Sequence, residues 1–243
     1  MERLTPRMLR VTFTGAELDG LTVELPAASV RLLLPPQGET RLVMPTWSGN
    51  EFLLPDGQRP TIRTFTPRRA DPEALEVDLD IVVHDGGIVS AWAEAAEPGD
   101  LAAISGPGRG YVIDADAHTL LLAGDETAIP AISQLLEALP AGSSVRVLIE
   151  VAHPDARLHL PAHVGAAVQW CDLAPGSAPG DALVTALSSA DIAGGARVWV
   201  AGEAAAVQRI RRHLFAERGL TRAQAVVRGY WKQGRSGDVD EVG

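Results

Sequence analysis

From Leu9 to about Val112 the apolar positions fall in short alternations, among them "RVTFTG", "SVRLLLP", "TRLVMP", "ALEVDLDIVV" and "DLAAISGP", each closed by glycine or proline. Alternation with period two sends successive side chains to opposite faces of a strand, so this rhythm predicts a small antiparallel β-barrel. After Asp114 the pattern changes. "TLLLAG", "SVRVLIEV" and "ARVWVAG" read as buried strands, and "TAIPAISQLLEAL", "DALVTALSSA" and "EAAAVQRIRRHLFAERG" read as helices. Strands alternating with helices of this length predict an α/β domain with a parallel sheet covered on both faces. The expected division is a first domain of residues 1–114 and a second of 115–243, with no internal repeat and no heptad run.

Composition narrows the chemistry. Of 243 residues, 46% are hydrophobic and 21% charged, an ordinary globular balance, and no apolar run reaches the length needed to cross a bilayer. The opening "MERLTPRMLR" lacks the apolar core of a secretory signal, so the expected location is the cytoplasm. A single cysteine, Cys171, excludes an internal disulfide and any Cys-x-x-Cys site for zinc or an iron–sulfur cluster. Redox chemistry would therefore need a bound organic cofactor. The net charge of −10 disfavours nucleic-acid and anionic-membrane partners, and a monomer is the default. Arginine supplies nearly every cation, and Lys232 is the only lysine.

Several stretches carry candidate chemistry. "RTFTPRRAD" places Arg63, Arg68 and Arg69 around Phe65 and two threonines, Thr64 and Thr66. In "IVVHDGGIVSAW" a strand ends at His84-Asp85-Gly86-Gly87 and a helical pattern with Val89, Ser90 and Trp92 follows. Glycines leave backbone amides open to close approach, and a helix N-terminus behind them favours an anion such as a pyrophosphate. "GPGRG" lacks a following helix and reads as a turn at the domain junction. "TLLLAGDETAIPAISQLL" runs from strand through Gly124, Asp125, Glu126 and Thr127 into a helix, with Thr127 placed to cap it, and "ARVWVAGEAAAVQRI" repeats the geometry at Gly202-Glu203. Asp125 and Glu126 would repel a phosphate set directly on them, so their carboxylates are expected to point aside. "VRGYWKQGR" concentrates Tyr230, Trp231, Lys232 and Arg235. Each stretch also has a purely structural reading as a tight turn, a stabilised helix dipole or a tryptophan plugging a core. His159 and His163 of "HLPAH" have no neighbouring carboxylate and form no convincing metal site.

Taken in order, "RTFTPRR", "VVHDGGIVSAWA", "LLLAGDETAIPAI", "VWVAGE" and "GYWKQGR" resemble the motif series of the siderophore-interacting protein family, over nearly the whole chain. That resemblance implies a ferredoxin-NADP reductase-like fold and an NAD(P)H-dependent, FAD-containing ferric-siderophore reductase. It implies that Arg63 meets the flavin diphosphate, Phe65 stacks on the isoalloxazine where the family has tyrosine, and Thr64 and Thr66 lie beside the ring. His84, Gly86, Gly87, Val89, Ser90 and Trp92 match the second flavin-binding stretch. Gly124, Asp125, Glu126, Thr127, Gly202 and Glu203 would line the cleft for NADH or NADPH. Lys232 and Arg235, with Arg68 or Arg69, would receive an anionic ferric siderophore. The same scaffold also suits a general NAD(P)H:flavin or quinone reductase, and the binding motifs alone suit a ferric-siderophore carrier without turnover.

Overall fold

The computed structural model describes residues 1–234. In chain order the first half contains β1 (Glu2–Thr5), β2 (Met8–Thr14), β3 (Val30–Leu34), β4 (Thr46–Trp47), β5 (Phe52–Leu53), β6 (Thr61–Phe65), β7 (Pro67–Asp71), β8 (Glu76–Val82), α1 (Ile88–Ala95) and β9 (Ala103–Ser105). These strands form antiparallel sheets in the orders β1-β2-β8-β7 and β6-β3-β9, with β4 and β5 a separate hairpin. Between β6 and β7 only Thr66 intervenes. One continuous stretch thus turns the corner from one sheet to the other.

Period-two alternation decides what each strand buries. Along β8, Val77, Leu79 and Ile81 enter an apolar core shared with Leu9, Leu32 and Val89. The intervening Asp78 and Asp80 point the other way and are neutralised by cations: Arg69 reaches Asp78 at 2.8 Å and Arg10 reaches Asp80 at 2.7 Å. Burial opposes the Asp78 charge, but hydrogen bonds from Arg69 and Thr12 outweigh it and hold this carboxyl below its ordinary value.

The second half runs β10 (Thr119–Gly124), α2 (Ile129–Ala138), β11 (Ser144–Val151), β12 (Ala166–Asp172), α3 (Asp181–Ser188), β13 (Arg197–Glu203), α4 (Ala204–Arg212) and β14 (Ala225–Trp231). Its five strands lie in the order β12-β11-β10-β13-β14, and every adjacent pair is parallel. Leu120 and Leu122 of β10 face one core with α2, whereas Leu121 and Ala123 face the other with α3 and α4. Both faces are dry, which explains the unbroken apolar runs of the sequence. Truncating a fully buried leucine such as Leu122 to alanine would cost about 2–5 kcal/mol.

The first of these cores also takes Met8, Ala27 and Tyr111 from the antiparallel half. Polar clamps reinforce that shared interface. Gln134 of α2 accepts from Ala27 N at 2.8 Å and donates to Pro67 O at 2.6 Å. Arg7 donates to Glu126 at 2.8 Å, and Arg228 of β14 donates to Gly110 O at 3.1 Å. The antiparallel-then-parallel order read from the sequence holds. Parts of the chain differ from that reading: "TRLVMP", residues 40–45, forms no strand, β12 carries no clear strand pattern, and the helix expected through Gly219 is α-helical only to Arg212, followed by a π-helical turn over His213–Glu217. Among the described residues no helix is long and apolar enough to cross a membrane.

Candidate functional site

In the parallel sheet the chain steps outward from β10 to β11 and β12, then returns to place β13 and β14 on the other side. The order therefore reverses between β10 and β13, and the crevice beyond their carboxyl ends is where such sheets bind ligands. Gly124 and Gly202 stand at those two ends. Both are required by packing. A Cβ on Gly124 would collide with Ala128 and lie 2.8 Å from Ala201 O, and one on Gly202 would lie 2.6 Å from Asp125 Oδ2.

The acids beside these glycines are turned inward. Asp125 Oδ1 accepts from Thr127 N at 2.9 Å, and Oδ2 accepts from Glu203 N at 2.9 Å and Trp231 Nε1 at 2.8 Å. Asp125, not Thr127, is therefore the cap at the helix start. Burial pushes the Asp125 carboxyl above its ordinary value, with the Thr127 and Trp231 bonds working against that shift. Glu203 Oε2 caps α4 through Ala205 N and Ala206 N, at 2.6 and 2.9 Å. Glu126 is held between Arg7 and Ala152 N. Of the four residues Gly124 to Thr127 only Thr127 is partly exposed. The expected cleft lining is thus built of side chains already committed to the fold. Glu150 is also turned inward, accepting from Gly180 N and Leu183 N at the start of α3. Arg157, beyond the end of β11, is paired with Asp172 at 2.6 Å.

The antiparallel half presents a different surface. Arg63 and Phe65 are two residues apart on β6, share a strand face, and pair in register with Leu32 and Val30 of β3. Both are partly exposed. Phe65 rests against the edge of the barrel core, and Arg63 donates to Ile62 O at 2.6 Å. Thr64 is exposed on the opposite face, while Thr66 is buried at the corner and hydrogen-bonds Tyr230, whose hydroxyl is pushed up chiefly by burial.

At the end of β8, His84 is exposed and its backbone N–H donates to the buried Ser90 Oγ at 3.1 Å. Val89 is a core residue, and Trp92 stacks on Phe13 with ring centroids 6.0 Å apart. Ser90, Val89 and Trp92 therefore fix the start of α1 from beneath. Gly86 adopts φ +75° with open space around it, and no side chain caps α1. The residues present fit FAD: a partly exposed flat ring, an arginine on the same face, and an uncapped helix start behind two glycines suit an isoalloxazine and a diphosphate.

The cations are distributed differently from the expectation. Arg68 is bound to both carboxylate oxygens of Glu137, at 2.6 and 3.0 Å. Arg69 is surrounded by Asp71, Glu76 and Asp78 at 3.1, 2.6 and 2.8 Å. Carboxylates thus engage both guanidinium groups, across the interface for Arg68 and within the β7–β8 hairpin for Arg69. Lys232 is exposed and makes no hydrogen bond or ion pair among the described residues. Arg235 lies outside those residues. Sequence reasoning missed the anchoring role of Trp231; its only signal was the crowding of aromatic and basic residues in "GYWKQGR". Among the described residues no group of histidine, cysteine and carboxylate side chains could hold a metal ion, His159 and His163 included.

Comparison with known proteins identifies the relatives of this chain. The model of the siderophore-interacting FAD-binding domain matches residues 1–111, and that of the siderophore-interacting protein matches residues 117–234. A siderophore utilization protein from T. fusca has a similar solved structure, with a TM-score of 0.86 and 37% identity over 98% of this chain and 92% of that one. The NADPH-dependent ferric-chelate reductase of Escherichia coli is 30% identical over 89% of this chain and 84% of its own length. The ferric vibriobactin reductase ViuB of Vibrio cholerae is 28% identical over 96% and 87%.

Proposed function

The chain belongs to the siderophore-interacting protein family, and from that membership we propose that it reduces the Fe(III) of an anionic ferric siderophore with electrons from NADH or NADPH, releasing Fe(II) in the cytoplasm. It is a flavin-dependent oxidoreductase with FAD and a nicotinamide nucleotide as cofactors. FAD, when bound, would supply the coupling of a two-electron nucleotide oxidation to one-electron reductions, a balance of two ferric chelates for each nucleotide.

The protein's own residues bind and orient. Arg63 and the amides of the first turn of α1 would hold the diphosphate, Phe65 would fix the plane of the ring, and Thr66 would hydrogen-bond at its edge. The hydroxyl that tyrosine brings elsewhere in the family is missing at Phe65, so this position contributes contact area alone. Lys232 and Arg235 meet the negative charge of the chelate. Oxygen donors of the catecholate or hydroxamate kind hold Fe(III) far more tightly than Fe(II), so a single electron loosens the metal without a protein iron site.

The observation that carries this reading is the contrast among helix starts: the first-turn amides of α3 and α4 donate to the carboxylates of Glu150 and Glu203, whereas α1, whose Val89 shares the core against which Phe65 rests, has no side-chain cap. Purified protein should be yellow, should bleach on anaerobic addition of NADH or NADPH, and should regain its colour when a ferric catecholate or hydroxamate is added. Reoxidation by quinones with indifference to ferric chelates would assign it instead to general quinone reduction. A colourless protein that refuses added FAD would end the proposal.

A further inference from the structure

Lys232 is the single lysine of the chain, and buried carboxylates tie down the residues on either side of it. Trp231 donates its indole N–H to Asp125 Oδ2 at 2.8 Å, and Gln233 donates its backbone N–H to Glu203 Oε1 at 3.2 Å. Asp125 is 8% exposed and Glu203 4%. They occupy the two sides of the topological switch, at the carboxyl ends of β10 and β13, and a third hydrogen bond joins them, from Glu203 N to Asp125 Oδ2.

The backbone of β14 is adapted to this anchorage. Gly229 pairs with Gly202 and Trp231 pairs with Glu203, leaving Tyr230 as an extra residue in the ladder. Such a bulge re-aims the side chains around it. Tyr230 turns to the interface between the two halves, its ring edge-on to Trp199 at 6.3 Å, and Trp231 turns to Asp125. A lysine beyond a strand end would ordinarily sample many backbone and side-chain conformations, and ordering it on an anion would cost binding free energy. Here its backbone is already held from both sides.

We propose that Asp125 and Glu203 are positioning residues for the ferric substrate, gripping the chain on both sides of Lys232 so that its ammonium stands ready for an anionic chelate. The inference rests on the ferric-siderophore reading above and changes the task given to these acids, from lining the nucleotide cleft to supporting the substrate cation.

The test uses the FAD-loaded protein and the ferric complex of a hexadentate tris-catecholate, with dissociation constants from calorimetry and KM for the chelate and for NAD(P)H from steady-state rates. Lys232→Ala and Trp231→Phe are each expected to weaken chelate binding roughly three- to tenfold, the cost of losing or disordering one cationic side chain, while KM for the nucleotide holds. Because Trp231 acts through Lys232, the double variant should bind no more weakly than Lys232→Ala alone. Glu203→Gln keeps one acceptor oxygen for Ala205 N and Ala206 N but turns an NH₂ toward Gln233 N, loosening one side of the grip, and should lie between wild type and Trp231→Phe. Additive losses, a Trp231→Phe protein that binds like wild type, or a rise in KM for the nucleotide would overturn the anchoring. Wild-type protein that binds no ferric chelate would instead overturn the functional reading itself, and this inference with it.

Discussion

Two kinds of glycine turn lead into helices in this molecule, and they are used in opposite ways. At Gly86-Gly87 the turn leaves the start of α1 without a side-chain cap and Gly86 in open space, although Gly87 itself is crowded by Ser90 and the His84 ring. At Gly124 and Gly202 the glycines exist because neighbouring groups crowd them, and the helix starts behind them are capped by Asp125 and Glu203. The same strand–glycine–helix pattern is thus open to an anion in the antiparallel half and filled by the protein's own anions in the parallel half. A glycine before a helix marks space that is needed, but folding decides whether a ligand or a neighbour takes it.

The sharpest way to break the filled type is Asp125→Asn. The amide would turn an NH₂ toward groups that are themselves donors, either Thr127 N or the pair Glu203 N and Trp231 Nε1. The expected cost is about 3 kcal/mol, read by thermal melting as a Tm lower by roughly 5–10 °C. A change below 1 °C would mean that Asp125 is not the staple of the switch point.

The open type can be converted to the filled type by Gly87→Asp, which places a carboxylate at the N-cap. The new Cβ would lie 2.8 Å from the exposed His84 ring and 2.7 Å from Ser90 Oγ, so both must yield. The added anion should compete with a diphosphate for the same amides and weaken FAD binding by about tenfold or more. Flavin content after gel filtration measures this, and retention at the wild-type level would detach the diphosphate from α1.

A smaller effect distinguishes the halves by pH. Burial pushes Glu150 above its ordinary value, against the hydrogen bonds from Leu183 and Gly180, so the folded state holds its proton more tightly than the unfolded chain. Its contribution to stability is full below the ordinary glutamate value of about 4.3 and is lost as pH rises through the raised value. Asp78, held low in the antiparallel half, behaves oppositely: its contribution is present above the ordinary aspartate value and is lost as pH falls. Denaturant melts from pH 3 to 8, roughly the carboxyl range and beyond, should show Glu150→Gln flattening the decline toward high pH and Asp78→Asn flattening the acid limb.

The least effect is expected from Arg68→Ala. Its pairing with Glu137 makes it an interface clamp, worth about 1 kcal/mol or less, and KM for a ferric chelate should stay unchanged. A raised KM would return Arg68 to the substrate patch.

What could be read in advance depended on how far away a residue's partners lie. The alternation of β8 and the apolar runs of β10, β11 and β13 reflect one or two buried faces and were legible in the chain. β12 was not legible, because as an edge strand it keeps Ala167, Val168 and Gln169 exposed and shows no buried-strand pattern. The fates of the charged side chains were hidden for another reason. Arg68 meets a glutamate 69 positions away, Asp125 a tryptophan 106 away, and Arg7 a glutamate 119 away. Nothing local announces such pairings.

The amino-acid order alone therefore determined the division into antiparallel and parallel halves, through local periodicity, and excluded an internal disulfide, through its single cysteine. Tertiary structure alone decided that Asp125 and Glu203 face inward, that Arg68 pairs with Glu137, and that Trp231 anchors the strand before Lys232. A buried carboxylate is stable only when donors surround it, and those donors come together only once the sheet has closed.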